Sequence, residues 1–244
     1  MSQALGAVNR IVDSGRATIP VSATRIREDP FSFREFLHPR VYRDLVANVF
    51  LGAPSTGKTT IAARLAKEYD TVWMPEYGRE YWEEHQVDRR LSLVQLEELA
   101  ERHLDREEEF FHQANRFLFT DTNAVTTYMF SVSYHDSTTQ RLKELADEAG
   151  NRYNLVFVCD VDIPYDDTWD RSGDVSRLTF QKQILADLVL RKTPFVTLRG
   201  SLGLYYVKAV RFISLLYVIL LFLAIRGYIS WLRVSRATPE TTAA

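Results

Sequence analysis

The segment Gly52-Ala-Pro-Ser-Thr-Gly-Lys58-Thr59 constrains this chain more than any other part of it. It has the spacing GxxxxGK[ST], in which glycines let backbone N–H groups wrap around phosphates and the next helix presents its positive N-terminus. An apolar run ending at Leu51 precedes the segment, and apolar residues at helical spacing follow from Thr60 to Tyr69. A chance match would lack this strand, loop and helix context, so the segment predicts a nucleotide-binding P-loop.

The loop residues have distinct expected roles. Lys58 is positioned to bridge the outer phosphates of ATP, and the Thr59 hydroxyl to ligate magnesium. ATP and Mg²⁺ are therefore the predicted cofactors. The residues expected to contact the nucleotide are Gly52, Pro54, Ser55, Thr56, Gly57, Lys58, Thr59 and Thr60.

Strand and helix signals alternate from Val46 to about residue 200. Besides the run before the loop, apolar runs predict strands at 71–74, 116–120, 155–159 and 194–198, and helical patterns lie at 92–112, 124–132, 137–149 and 179–191. Ser92 is the expected N-cap of the first of these helices. The expected fold class is α/β, with a P-loop NTPase-type parallel five-stranded sheet flanked by helices and followed by a C-terminal apolar helix.

Composition argues against some functions. The 244 residues carry a net charge of −2 with a pI near 6.2, which provides no global basic field, so a nucleic-acid partner is not predicted. The lone Cys159 lies in an apolar run and is expected to be an inert buried strand residue. The histidines His85, His103 and His112 lack a metal-ligand pattern and are expected to be surface or helix residues.

Polar residues that follow the strands are the candidates for the rest of the site, because ligands bind at the carboxyl ends of parallel strands. Asp121 could face the metal or an acceptor hydroxyl, or it could be the N-cap of the next helix. Glu76 follows the second strand, and the aromatic and charged residues after it could hold a flat ring and a ribose, or form a solvated loop. The predicted substrate-binding set is Glu76, Tyr77, Arg79, Trp82, Asp121 and Asn123.

Two arginines in the loop that precedes the helix at 179–191 complete the predicted catalytic set. Arg171 and Arg177 could close over the nucleotide and neutralise charge that develops on the transferred group. The alternative is that they pair with nearby aspartates at the surface. The predicted catalytic residues are Lys58, Asp121, Glu76, Arg171 and Arg177, and the predicted metal ligands are Thr59 and Asp121.

The C-terminal part is unusually apolar. Residues 212–225 carry no charge, and if Arg226 snorkels, the segment 212–232 reaches the roughly twenty residues that span a bilayer. The alternatives are a buried or oligomerising helix and an artefact of a shifted reading frame. A domain that uses ATP must face the cytosol, so the predicted location is cytoplasmic, with a membrane tether left open. The expected organisation is an extension at 1–40, a catalytic domain at 46–200, the apolar helix at 203–235 and a disordered tail at 236–244.

Four segments, in order and at similar spacing, resemble the ribosylnicotinamide kinase domain of the NadR family: GAPSTGKTT, PEYGREYW, FTDTNAVTTYMF and VCDVDIPYDDTWDRSGDVSR. The resemblance covers residues 46 to about 200. The P-loop is generic, whereas the PEYGREY and DTNAVTT segments together are more specific. The resemblance implies transfer of the γ-phosphate of ATP to the 5′-hydroxyl of nicotinamide riboside, which yields nicotinamide mononucleotide for NAD salvage. The small-molecule partner would be that nucleoside.

Three other functions stay open at this point. The first is a regulatory ATP-binding module without kinase activity, and the second is a kinase for a different nucleoside. The third is a membrane-tethered assembly protein, which the apolar segment 212–232 would suit. Upstream, residues 19–30 resemble the closing ISxTxIR segment of nicotinamide mononucleotide adenylyltransferases. No histidine occurs before His38, so the early histidine motif of those enzymes is absent and their activity is not expected here.

Overall fold

The computed structural model describes residues 21–28, 33, 36, 46–87, 90–164 and 174–237. Within this part of the chain, five parallel strands form one sheet: β1 (Val46–Leu51), β2 (Trp73–Met74), β3 (Phe117–Asp121), β4 (Leu155–Cys159) and β5 (Val196–Leu198). The strand order is β2-β3-β1-β4-β5, so β1, which leads into the P-loop, lies at the centre. The predicted fold class is confirmed.

Helices connect the strands and cover both faces of the sheet. Their bounds are α1 (Ala23–Glu28), α2 (Lys58–Glu68), α3 (Tyr77–His85), α4 (Leu93–Gln113), α5 (Ala124–His135), α6 (Gln140–Gly150), α7 (Asp174–Leu190) and α8 (Leu202–Ala237). The predicted N-cap of α4 is confirmed, because the Ser92 hydroxyl accepts a hydrogen bond from Gln95 N and the Gln95 side chain accepts one from Ser92 N. Helix α3 was not predicted, since Gly78 weakens its helical signal.

Alternate residues of each strand face opposite sides of the sheet, as strand geometry requires. In β1, Val49 and Leu51 contact a core cluster under α4–α7, whereas Phe50 contacts a second cluster under α2 and α8. Phe50 stacks on Phe157 of β4 with ring centroids 5.2 Å apart. Cys159 is buried in β4, as expected. Both faces of the sheet are therefore covered, and the P-loop and Asp121 lie at the carboxyl ends of β1 and β3.

The first half of α8 packs on the sheet. Tyr205, Ala209 and Ile213, spaced four residues apart, are fully buried in the second cluster, and the Tyr205 hydroxyl donates to Asp160 O at 2.8 Å. The other face of this half exposes Leu204, Val207 and neighbouring apolar residues. One stretch of the described chain, Leu202–Ile219, is long and apolar enough to cross a membrane by length and composition. The predicted span at 212–232 stays a prediction.

The predicted end segments are described only in part. Helix α8 runs to Ala237, so residues 236 and 237 of the predicted disordered tail are helical, and 238–244 lie outside the described residues. Most of the predicted extension at 1–40 also lies outside them. Of that extension, α1 is described, and the Arg25 guanidinium lies 4.8 Å from the centre of the Phe33 ring.

Candidate active site

The P-loop joins the carboxyl end of β1 to the N-terminus of α2, and its two glycines are required by the backbone. Gly52 has φ 139° and Gly57 has φ 81°, which L side chains rarely adopt. A Cβ on Gly52 would lie 2.5 Å from Cys159 O, and one on Gly57 would lie 2.8 Å from Leu202 Cδ2 at the start of α8. The loop is therefore wedged between β4 and α8, and α2 begins at Lys58 with its N–H groups facing the loop.

Side chains of the loop bond within it. The Thr56 hydroxyl donates to Ala53 O at 2.8 Å, and the Lys58 ammonium donates to the same carbonyl at 2.9 Å. Both residues are buried. Lys58 thus folds back across the loop, which puts its charge where phosphates bound by this loop would lie. Pro54 and Ser55 are half-buried and Thr60 is exposed.

Helix α7 supports the loop from outside with two residues that are one turn apart. Gln181 accepts from Ala53 N at 2.8 Å and donates to Cys159 O at 3.0 Å, so it ties the loop to the end of β4. Arg177 is 4 % exposed and donates to Pro54 O, Ser55 O and Ile163 O. Its guanidinium therefore supports the backbone of the loop; the predicted lid role of Arg177 stays a prediction. Arg171 lies outside the described residues.

Asp121, the last residue of β3, lies beside the loop. Its side chain is fully buried, and its Oδ2 accepts a hydrogen bond from the Thr59 hydroxyl at 2.5 Å. Its Oδ1 has no hydrogen-bond partner among the described residues. Burial, helped by the negative charge of Glu76, raises the pKa of Asp121 from 3.8 to about 7. The opposing charges of Lys58 and Arg79 and the Thr59 bond lower that pKa less than burial raises it.

The pair of Thr59 and Asp121 fits a magnesium site. Hydroxyl and carboxylate oxygens are ligands that Mg²⁺ takes, and this ion usually binds through one or two protein oxygens plus substrate phosphates and water. An unpaired, buried carboxylate oxygen next to the P-loop threonine is the kind of atom such an ion would satisfy. In the described residues, no group of three or more His, Cys, Asp or Glu side chains could hold a metal by itself.

The predicted substrate residues around α3 come near Asp121. Glu76 is the N-cap residue of α3, and the charges of Glu76 and Arg79 both act on the Asp121 carboxylate. The Tyr77 ring lies 5.1 Å from the Arg106 guanidinium, and Trp82 is half-buried against the α4–α7 core cluster. One face of this group is thus attached to the core while Arg79 is exposed.

Asn123 has a local structural use. It is the N-cap of α5, where its Oδ1 accepts from Val125 N at 3.0 Å, and its side chain also bonds the Tyr153 hydroxyl. The N-cap role considered for Asp121 therefore belongs to Asn123, which leaves the Asp121 carboxylate to face the loop. Sequence reasoning missed Gln181, and the only signal for it was a polar residue on the buried side of α7.

A family model described as an AAA domain matches residues 47–203. The chain belongs to this AAA-domain family. The match begins in β1 and ends at the start of α8, so it contains the P-loop, Asp121, α3 and the α7 residues that support the loop.

This AAA-domain chain is similar to the trifunctional NAD biosynthesis/regulator protein NadR. It is 29% identical to the Escherichia coli (strain K12) protein over 197 residues, which are 79% of this chain and 48% of that protein. It is also 29% identical to the Salmonella typhimurium (strain LT2) protein over 202 residues, 81% of this chain and 49% of that one. The chain thus spans about half the length of the curated relatives it matches.

Solved structures support the same assignment of fold. A crystal structure of NadR protein in complex with NR matches with a TM-score of 0.56 and 25% identity, over 82% of this chain and 59% of that one. Thymidylate kinase from Candida albicans matches with a TM-score of 0.50 and 14% identity, over 70% of this chain and 91% of that one. The AAA-domain chain therefore has a P-loop kinase-type fold, and its resemblance to NadR is confirmed.

Proposed function

We propose that this chain is an ATP-dependent kinase that phosphorylates nicotinamide riboside to nicotinamide mononucleotide. The observation that carries the proposal is the buried Asp121 carboxylate, which is bonded to the P-loop Thr59 and has one oxygen without a hydrogen-bond partner in the described part of the chain. A P-loop alone would suit any nucleotide-binding protein. A carboxylate of raised pKa at the next strand end adds a group that can take the proton of an attacking hydroxyl.

The proposed reaction transfers the γ-phosphoryl group of ATP to the 5′-hydroxyl of the nucleoside. The bond between that phosphorus and ADP breaks, a new oxygen–phosphorus bond forms, and the hydroxyl proton passes to one of the two carboxylates beside the loop, Asp121 or Glu76. Lys58 and the N–H groups at the start of α2 neutralise charge on the phosphates. Thr59 and Asp121 would hold Mg²⁺, which would neutralise further phosphate charge when bound.

The choice of acceptor rests on the relatives. A solved structure similar over most of this chain contains NR, which we take to be nicotinamide riboside. The residues next to Asp121 suit such an acceptor, because Tyr77 and Trp82 offer aromatic surface to a flat ring. Glu76 and Arg79 offer charged hydrogen bonds to a ribose. We propose residues 46–200 as the catalytic unit, acting in the cytoplasm.

The test incubates purified full chain with Mg-ATP and a panel of nucleosides that includes nicotinamide riboside, and identifies products by mass. We expect nicotinamide mononucleotide from the wild type and none from Lys58→Ala. Phosphorylation of another nucleoside instead would keep the kinase and replace its acceptor. Tight ATP binding without any phosphorylated nucleoside would favour the regulatory module.

A membrane tether through the C-terminal helix remains a separate proposal. Phe212, Ile213, Leu216 and Tyr217 contact the domain, so the part of the segment beyond them runs from residue 218 to 232, fifteen residues. At 1.5 Å per residue this is about 23 Å, less than the roughly 30 Å of a hydrocarbon core. Partition of the full chain into membranes that only detergent can release would support the tether, whereas a monodisperse chain in buffer would overturn it.

A further inference from the structure

A second polar region lies away from the P-loop, between α4, α5 and α6. It is a cavity of about 650 Å³, here called the α4 cavity, which reaches from Ala124 at the start of α5 to Asn154 just before β4. Its apolar lining includes Leu104, Phe111 and Leu145. The volume lies within the range of small-molecule sites, which are mostly apolar with a few placed polar groups.

Two buried side chains of α4, His103 and Glu107, line this cavity, and each has an acceptor atom without a hydrogen bond in the described part of the chain. His103 and Glu107 are one turn apart on the same helix face, and they are 6 % and 1 % exposed. His103 Nε2 and Glu107 Oε1 have no hydrogen-bond partner among the described residues. Buried polar atoms of this kind are nearly always satisfied, so the cavity offers two adjacent acceptors to a ligand.

The protonation of His103 makes it an acceptor. Its ring bonds the backbone of Thr122, and because Nε2 has no partner, the N–H that donates to the Thr122 carbonyl is at Nδ1. Burial, helped by the charges of Arg152 and Arg106, lowers the pKa of His103 to about 4. The ring is therefore neutral at pH 7, with an unprotonated Nε2 at the cavity.

Two other polar residues at the cavity, Tyr153 and Arg152, are bonded to its carboxylates, although the Nε of Arg152 has no hydrogen-bond partner among the described residues. The Tyr153 hydroxyl donates to Glu107 Oε2 at 2.8 Å. The Arg152 guanidinium donates to Glu108 at 2.8 Å and lies 5.1 Å from the centre of the Phe111 ring. Its Nε lies 3.4 Å from Glu107 Oε1 without the geometry of a hydrogen bond. The arginine thus offsets part of the Glu107 charge but leaves that oxygen available to a stronger donor.

The charged residues around the cavity indicate the charge of its ligand. Among the described residues, the cavity lining contains three carboxylates, Glu107, Glu108 and Glu148, and one guanidinium, that of Arg152. The open His103 Nε2 and the carboxylate oxygen of Glu107, which Arg152 pairs only at 3.4 Å, favour a ligand that carries N–H donors and a positive charge. We propose that the α4 cavity binds a small organic cation, an amine or amidine carrying N–H donors on an apolar body.

This site is separate from the proposed phosphoryl-transfer site. It uses none of the residues assigned to ATP, metal or acceptor, and its ligand is neither a nucleotide nor a nucleoside. Two bonds in the described part of the chain link it to that site: the Tyr153 hydroxyl bonds both Glu107 and Asn123, and the His103 ring bonds the backbone of Thr122, the neighbour of Asp121. The binding test below contains no ATP or nucleoside, so its outcome does not depend on whether the chain is a kinase.

The probe is benzamidine, which combines an apolar ring with a cationic amidine. Full-length protein is titrated calorimetrically in the presence of EDTA, with acetophenone as a probe of similar shape that lacks N–H donors. We expect benzamidine to bind with a Kd below about 1 mM, at least tenfold more tightly than acetophenone. No benzamidine binding, or equal binding of the two probes, overturns the proposal.

Glu107→Gln tests the location of the bound probe. The amide can still accept from Tyr153, but it removes the negative charge, so benzamidine affinity should fall about ten- to a hundredfold. Glu109→Gln is the matched control, because this exposed carboxylate lies on the same helix outside the cavity. Equal affinity in wild type and Glu107→Gln would assign the probe to another site and overturn the proposal.

A second measurement needs no variant. In wild-type protein labelled with ¹⁵N-histidine, the His103 Nε2 resonance should shift on addition of benzamidine, because a nitrogen that gains an N–H donor changes its shielding. The exposed His112 on the same helix provides an internal reference. Benzamidine that saturates the protein calorimetrically without moving the His103 resonance would contradict the assignment.

Discussion

The P-loop and the α4 cavity both contain buried polar residues, but the hydrogen bonds of these residues differ. Around the loop, side chains of α7 and of the loop itself bond the backbone at Ala53, Pro54 and Ser55. In the α4 cavity, His103 and Glu107 each have an acceptor atom that receives no hydrogen bond from the residues the structure describes. The loop is thus held in a binding shape before a ligand arrives, whereas the cavity carries the cost of unsatisfied atoms that a ligand could remove.

The largest expected change in activity follows from substitution of Asp121. Like the cavity residues, Asp121 has an oxygen without a hydrogen-bond partner among the described residues. Asp121→Asn should reduce turnover about 10²- to 10⁴-fold, because an amide cannot take the proton of the attacking hydroxyl. ATP affinity, measured by calorimetry without acceptor, should change little, since Lys58 and the loop backbone remain.

Asp136→Asn is the matched control for that change. Asp136 is exposed and has φ 49°, a conformation that asparagine tolerates, so neither turnover nor stability should alter. If Asp121→Asn turned over like the wild type, Asp121 would have no part in proton transfer or metal binding.

The next effect concerns pH and the α4 cavity. Because burial lowers the pKa of His103 from 6.5 to about 4, the unfolded chain binds the proton more readily than the folded chain between these values. The contribution of the neutral His103 to the free energy of unfolding is therefore complete above pH 6.5 and is lost as the pH falls towards 4. From pH 7 to pH 5 the loss from this group is about 2 kcal/mol.

Urea unfolding of wild type and His103→Gln at pH 7 and pH 5 measures this contribution. The stability difference between the two pH values should be about 2 kcal/mol smaller in the variant than in the wild type. His112→Gln, which removes an exposed histidine of the same helix, should behave like the wild type. If the stability difference between pH 7 and pH 5 were the same in all three proteins, His103 would not be shielded from water.

The smallest expected effect is on ATP binding, after substitution of the residue of α7 that supports the P-loop. Gln181→Leu removes the bonds to Ala53 N and Cys159 O, and should weaken ATP binding about tenfold, because the loop is no longer held in shape. The turnover at saturating ATP should be largely retained, since Gln181 touches no reacting atom. Lys182→Gln, at the exposed neighbouring position, is the control. A loss of turnover with unchanged ATP affinity would contradict the supporting role.

The contrast between the two regions also explains what could be predicted. The P-loop is a local motif, and Asp121 follows an apolar strand directly, so both were accessible from the sequence. Gln181 supports a loop that lies 128 residues earlier in the chain. No spacing rule gives that contact, because it depends on how α7 is rotated against the sheet.

The sequence of α4 contains a recognisable signal of the α4 cavity. The buried residues of α4 are Leu96, Leu99, Ala100, His103 and Glu107, which form one stripe at helical spacing. Two ionisable residues on an apolar stripe indicate a buried polar site, although they do not identify its other members. Arg152 and Tyr153 come from the segment before β4, and their approach to α4 depends on how α6 packs beside it.

The contact between Gly57 and Leu202 has a consequence for measurement. The first residue of α8 abuts the glycine that caps α2, and α8 then continues as one helix of 36 residues, about 54 Å long. A fluorophore attached near the end of that helix would therefore lie at a distance from the nucleotide that is set by the length and direction of α8. Because energy transfer depends on distance, a tilt of α8 would change the transfer efficiency between a labelled ATP analogue and this fluorophore.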